Sequence, residues 1–183
     1  HWGVKADVFT FAKGMASGYM PVAATVVKEH IFEAFYGETS ELMHFRHINT
    51  YGGHPVSAAV SLKNIDIVKQ ENLPGNAAKL EKYIKNRLSE FADHPFVGDI
   101  RGRGLLLGIE LVSDKEKKTP VSLALANGII QNCIKEGVFL MRNGNTVPGL
   151  GNILIMAPPL ILKENEADQI IDAIGKSLNK ALN

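Results

Sequence analysis

A single lysine stands between two small residues in the stretch Asp7 to Pro21, "DVFTFAKGMASGYMP". Lys13 follows a β-prone apolar run, Val8 to Phe11, and precedes a loop of glycine, serine and alanine. An arbitrary lysine at a strand end is a surface charge, because lysine is rarely buried unpaired. On a rigid strand end between Ala12 and Gly14, it suits a different task, attack of an amine on a carbonyl carbon. That task needs the neutral amine, which desolvation or neighbouring positive charge favours by lowering the pKa.

Two more side chains have types and settings that suit chemistry. Thr50 lies in "NTYGG", where Gly52 and Gly53 let the backbone bend tightly. A hydroxyl there serves either its own turn or an external acceptor. Arg142 follows the run "VFLM" and precedes a glycine-rich turn, "NGNTVPGLGN". It is either an exposed strand-end arginine or a planar fork for a carboxylate, a task that arginine performs better than lysine.

The remaining features point to structure. "RGRGLLLG" lacks the Gly-Lys-Ser/Thr ending of a phosphate loop and reads as a turn entering a packed strand. His44, His47 and His54 have no cysteine or carboxylate pattern around them, so no metal site is expected. Tyr51 either shapes a pocket or packs. Cys133 reads as a small core residue on a helix, and "SDKEKKTP" as a solvated turn.

The elements that position these residues follow from periodicity. Strands are expected at Val8 to Phe11 and Pro21 to Val27, with a short helix from His30 to Phe35 and a shaped polar loop across 37–53. Pro55 opens a helix running to Asn72, with Val56, Ala59, Val60 and Val68 on its apolar face and Leu73-Pro74-Gly75 ending it. A cleaner helix, Asn76 to Phe91, repeats Ala77, Leu80, Ile84, Leu88 and Phe91 at three- and four-residue steps. Strands are expected at Leu105 to Leu111, Val138 to Met141 and Ile153 to Met156. Helices are expected at Val121 to Glu136, capped by Gly137, and at Glu164 to Leu182. Residues 1–53 show no obvious complete core, whereas 73–183 read as a small antiparallel sheet covered by helices.

The 183 residues are 45% apolar and 21% charged, an ordinary globular composition. A formal charge of +1 implies no large attraction to nucleic acid or an anionic membrane surface. One cysteine excludes an intrachain disulfide and fits a reducing cytoplasm, and no apolar run approaches the ~20 residues of a membrane helix.

Asp7-Val8-Phe9, Ala12-Lys13 and Ser17-Gly18, with their spacing, resemble the lysine signature of the class III aminotransferases, fold-type I enzymes dependent on pyridoxal 5′-phosphate. "HWGVKAD" resembles the lead into that signature and "INTYGGHP" the family's threonine loop. "VGDIRGRGLLLGIEL" resembles the strand opening the C-terminal domain, and "GNILIMAPPLIL" its last strand. The matches keep the family's order over nearly the whole chain.

The resemblance implies that Lys13 forms the Schiff base with the cofactor and then moves the proton during transamination. It implies that Thr50 binds the cofactor phosphate across a homodimer with shared sites, and that Arg142 binds a substrate carboxylate, as in the ω-aminotransferase branch. That branch includes taurine–pyruvate, β-alanine–pyruvate and adenosylmethionine–8-amino-7-oxononanoate aminotransferases, and the resemblance implies that the full enzyme moves an amino group from an amine or ω-amino acid to a 2-oxo acid such as pyruvate.

A complete enzyme of this type carries further upstream parts, among them an Asp-Glu-Val aspartate for the ring nitrogen, and this sequence has no Asp-Glu pair. The expectation is therefore a C-terminal portion, α/β and α+β. Residues 1–72 would end the large cofactor-binding domain and 73–183 would form the small α+β domain. The segment is expected to be inactive alone and cytoplasmic in location. The alternatives are a non-catalytic interaction or dimerisation module and, on the same scaffold, racemase or aminomutase chemistry.

Overall fold

Asn72, in the left-handed region at φ 47°, separates two helices, Pro55–Gln70 and Leu73–Leu88. The computed structural model describes residues 2–144 and 147–182. The chain divides at this break into two units, His1–Glu71 and Asn72–Asn183. Leu73-Pro74-Gly75, expected to end the first helix, instead opens the second. Proline is accepted in a first helical turn because its missing N–H has no intrahelical acceptor there.

In the first unit, β1 (Val8–Phe11) pairs antiparallel with β2 (Ala24–Val27), Val8 opposite Val27 and Phe11 opposite Ala24. The Lys28 amide donates to the Asp7 carbonyl at 2.9 Å, and its ammonium meets the Asp7 carboxylate at 2.7 Å, closing the open end of the ladder. A short helix, α1 (Glu29–Glu33), follows, and the longer α2 (Pro55–Gln70) completes the unit. Ala16 is the one apolar residue of this unit that is buried among the described residues. Phe9, Phe11, Val26, Phe35 and Phe45 are all more than 40% exposed. The expected apolar face of α2 is not buried either. Val56 and Ala59 are exposed, while Ser57 and Ser61 are buried, because this unit supplies no apolar layer for a wider face to pack on.

The second unit has a core of its own. Strands β3 (Val97–Arg103), β4 (Leu106–Asp114), β6 (Met141–Arg142) and β7 (Ile153–Met156) form an antiparallel sheet in the order β3-β4-β7-β6, with β5 (Thr119–Pro120) paired to β4. Leu107, Ile109 and Leu111 alternate onto one face of β4, and Leu154 and Met156 do the same on β7. Helices α3 (Leu73–Leu88), α4 (Leu123–Lys135) and α5 (Glu164–Lys180) cover that face. The α3 stripe read from the sequence is the stripe that packs, since Leu80, Ile84 and Leu88 are almost fully buried, as are Ile171, Ile174 and Leu178 on α5. Cys133 is also fully buried, its thiol 3.3 Å from the Ser177 hydroxyl and its pKa raised by burial. Arg87 of α3 binds both Asp168 and Asp172 of α5, and Tyr83 donates to Asp168 at 2.7 Å. Among the described residues, no helix is long and apolar enough to cross a membrane.

Two strand expectations are corrected. Residues 97–111, which the resemblance set in one strand and periodicity only from Leu105, form two antiparallel strands, β3 and β4. Residues 138–140 were expected in a strand, but only Met141 and Arg142 pair with β7, because the Val138 amide turns back to the Cys133 carbonyl at 2.9 Å and joins the end of α4. Gly137, at φ 84°, is the left-handed cap expected there.

His94, between α3 and β3, gives this unit a pH dependence. Its Nδ1 accepts from the Phe96 amide at 3.2 Å, while its Nε2 is buried without a hydrogen-bond partner among the described residues. Burial first, and the Lys115 ammonium second, push its pKa below the ordinary 6.5. The folded state therefore binds a proton less readily than the unfolded chain. The stability is fully present above about 6.5 and is lost as the pH falls through the folded value. The urea midpoint followed by far-UV circular dichroism is expected to drop between pH 7.5 and pH 5. His94→Asn, which keeps an acceptor for the Phe96 amide but does not titrate, should flatten that drop; an unchanged slope would contradict the assignment.

Candidate active site

Lys13 leaves β1 in the left-handed region, at φ 50°. A non-glycine residue held there costs on the order of 1–3 kcal/mol, and such residues gather at functional sites. Lys13 to Met15 form one 3₁₀ turn, and Ser17 and Gly18 follow, also at positive φ. The side chain of Lys13 is exposed and makes no hydrogen bond or ion pair among the described residues. Gly14 faces open space, since a Cβ built there would meet nothing within 4 Å.

The turn's carbonyls are satisfied one after another. The Ala12 carbonyl accepts from the Met15 amide and the Lys13 carbonyl from the Ala16 amide, both at 3.2 Å, and the Ala16 carbonyl accepts from the Tyr19 amide at 3.0 Å. The two between them are served from α2. The Asn64 side-chain NH₂ donates to the Gly14 carbonyl at 2.9 Å and to the Met15 carbonyl at 3.2 Å. The Ser17 hydroxyl donates to the Asn64 Oδ1 at 2.8 Å. Sequence reasoning did not single out Asn64. The available signal was a residue that competes with helical backbone bonding placed well inside a helix.

Thr50 lies in a turn closed by the Gly52 amide donating to the Asn49 carbonyl at 3.0 Å, and its side chain is exposed. Gly53, at φ 70°, carries the chain into α2, where the His54 ring accepts from the Ser57 amide at 3.3 Å and caps the helix. An apolar cleft of about 930 Å³ is walled by Ala12, next to Lys13, and Asn49, next to Thr50, together with Phe11, Phe35 and Phe45. Phe35 and Phe45 meet edge to face with centroids 5.2 Å apart.

Arg142 belongs to the second unit. Its Nε donates to the Asn127 side chain of α4 at 2.9 Å, and its Nη1 to the Asn143 carbonyl at 2.9 Å. Asn143 pins the following loop by donating to the Leu150 carbonyl and accepting from the Ile153 amide. Arg142 is thus a half-buried, oriented side chain rather than a freely swinging one. Asn145 and Thr146 of the expected glycine-rich turn, and His1 of the lead-in segment, lie outside the described residues.

The surroundings fit an aldehyde-bearing phosphate cofactor. They offer a primary amine with open space at Gly14 and an exposed hydroxyl on a tight turn.

Comparison with known proteins gives a consistent family assignment. The family described as "Aminotransferase class-III" matches residues 1–178. An uncharacterized aminotransferase of Bacillus subtilis is 42% identical over 97% of this chain and 39% of its own length. A taurine–pyruvate aminotransferase of Rhodobacter capsulatus is 36% identical over 98% of this chain and 40% of its own. The crystal structure of a Bacillus anthracis aminotransferase superposes with a TM-score of 0.92 at 42% identity, across 98% of this chain and 40% of that one. The chain thus spans about 40% of the length of these relatives, and its mixed helical and antiparallel architecture is that of part of a fold-type I transaminase. It belongs to the class III aminotransferase family.

Proposed function

We propose that this chain is the C-terminal portion of a pyridoxal-phosphate-dependent ω-aminotransferase. The enzyme would transfer an amino group from an amine or ω-amino acid to a 2-oxo acid such as pyruvate, working as a homodimer with shared sites. The observation that carries this reading is Lys13, a primary amine held in a strained backbone conformation at a strand end with open space beside it. Family membership supports it further.

Bound pyridoxal phosphate would supply the electron sink that stabilises the carbanion left when the substrate loses a proton. The residues of this chain do the rest. Lys13 Nζ would hold the cofactor's aldehyde carbon, and its amine, when free, would be the base that takes the proton from the substrate carbon and the acid that gives it back. The Thr50 hydroxyl would donate to the phosphate of a cofactor held by the partner subunit. The Arg142 guanidinium holds a substrate carboxylate, and its bond to Asn127 aims it until a substrate without a carboxylate requires it to move. Residues 1–183 alone would transfer no amino group, because the first unit leaves its aromatic side chains in water.

The test is alanine formation from pyruvate by the enzyme that carries this segment, with a series of amino donors. Alanine is expected with at least one donor. A cofactor-loaded enzyme that forms none, yet racemises an amino acid, would overturn the aminotransferase reading. Arg142→Ala is expected to raise KM on the order of 10–100-fold for donors that carry a carboxylate, the equivalent of one charge-assisted pair, and to leave plain amines unchanged. Equal effects on both donor types would remove Arg142 from carboxylate binding.

A further inference from the structure

We infer that Asn64 is a positioning residue, a clamp from α2 that holds the Lys13 turn in its strained conformation. The inference rests on Lys13 being the cofactor-anchoring amine, and it adds a residue to that site.

Three observations carry it. The first is the order of the hydrogen bonds. From Ala12 to Ala16 every carbonyl accepts a hydrogen bond, and the two that local amides do not reach, Gly14 and Met15, both accept from one Asn64 NH₂ group. The second is the orientation of that amide. Turned over, it would set its oxygen against two carbonyl oxygens, so those two contacts fix which end points where. The third is the helix face. Ser57, Ser61 and Asn64 recur at steps of four and three, so they share one side of α2. Ser57 and Ser61 are small and buried, and the Ser61 hydroxyl folds back onto the Ser57 carbonyl at 2.8 Å. A larger residue on that side would hold the helix off the turn. Ala16, within the same turn, is fully buried.

A strained conformation persists only where its surroundings over-determine it. The 3₁₀ turn at Lys13 has three residues and no side-chain cap of its own, so it has little local means to keep Lys13 at positive φ. Asn64 supplies the restraint from a helix 50 residues away in the chain. With the restraint in place, Lys13 Nζ starts from one position. Without it, the lysine searches a broader range before it reaches the aldehyde carbon or the substrate proton.

The test has two independent readouts on the full chain. The first needs no cofactor and measures hydrogen exchange at the Met15 and Ala16 amides, which close the turn. Asn64→Ala and the isosteric Asn64→Asp, which cannot donate, are each expected to speed that exchange about tenfold. Exchange in the β1–β2 ladder and in the second unit should stay unchanged. Ser17→Ala, which leaves the helix untouched, should speed it by a smaller factor and keeps the test open if a position-64 variant does not fold. The second readout is the rate at which borohydride fixes pyridoxal phosphate onto Lys13, mapped by peptide mass. It is expected to fall in the position-64 variants, and in the enzyme carrying this segment kcat should fall with KM for the donor unchanged. Unchanged exchange and unchanged fixation in all three variants would overturn the clamp. If Lys13→Ala leaves fixation intact, the functional assignment fails instead, while the exchange data still decide whether Asn64 holds the turn.

Discussion

Lys13→Ala is expected to abolish the borohydride-stable attachment of pyridoxal phosphate at this position and to lower amino transfer by about 10³-fold or more in the enzyme that carries the segment. One amine is proposed both to anchor the cofactor and to shuttle the proton, so its loss removes two contributions at once. Lys13→Arg should be as inactive, although it keeps the positive charge. A guanidinium stays protonated throughout the working range and cannot serve as nucleophile or base. The fold should not register either change. The side chain is exposed and unbonded among the described residues, and alanine and arginine meet the same backbone penalty at φ 50° as lysine does. Thermal melting then separates a chemical defect from a structural one. Transfer that survives in Lys13→Ala, with the label on another lysine, would reassign the site.

Gly102→Ala is expected to be the most damaging single methyl group in the second unit, costing roughly 3–5 kcal/mol. Gly102 sits at φ 148°, and a Cβ there would lie 2.2 Å from the Leu106 carbonyl oxygen and 2.7 Å from the Leu107 Cα. Both are backbone atoms of the paired strand β4, so neither can swing aside. The hairpin is also tied to α3. The Lys85 ammonium donates to the Gly102 carbonyl at 2.7 Å, and Glu81 accepts from the Gly104 amide at 2.7 Å. That amide bond, followed by Lys85, holds the Glu81 carboxyl below its usual range. Gly104 and Gly137 provide the comparison. Both have positive φ, but a Cβ would meet only Ala77 at 3.7 Å in the first and nothing within 4 Å in the second. Each alanine variant there should cost about 1 kcal/mol. Urea unfolding followed by far-UV circular dichroism ranks the three, and equal losses would show that φ rather than contact with β4 sets the cost.

The sequence carried the second unit well where a single face decides the structure. Ala77, Leu80, Ile84 and Leu88 announce α3 because burial on one stripe leaves a period that no other element produces. Strand β3 escaped the periodicity because Asp99, Arg101 and Arg103 share it with Gly98 and Gly102, so a strand at the sheet's edge resembles a polar loop. Residues 138–140 misled in the opposite direction. They are apolar, but the end of α4 claims the Val138 amide before a strand can. In the first unit, the Lys13 signature was legible as residue types. The positive φ of Lys13 was not, since Gly14 beside it is the obvious residue for a left-handed turn. Asn64 was hidden for a simpler reason. Its partners lie 47 to 50 residues away, and no local pattern records a bond of that span.

The backbone at Lys13 also sets evolution a conflict. Glycine, or asparagine, would occupy φ 50° more comfortably than lysine does. At this position drift toward a more relaxed fold and retention of the amine pull in opposite directions. A lineage freed from the chemistry would gain stability by discarding Lys13. On its proposed role, Lys13 is a residue that function retains and that selection for stability alone would replace.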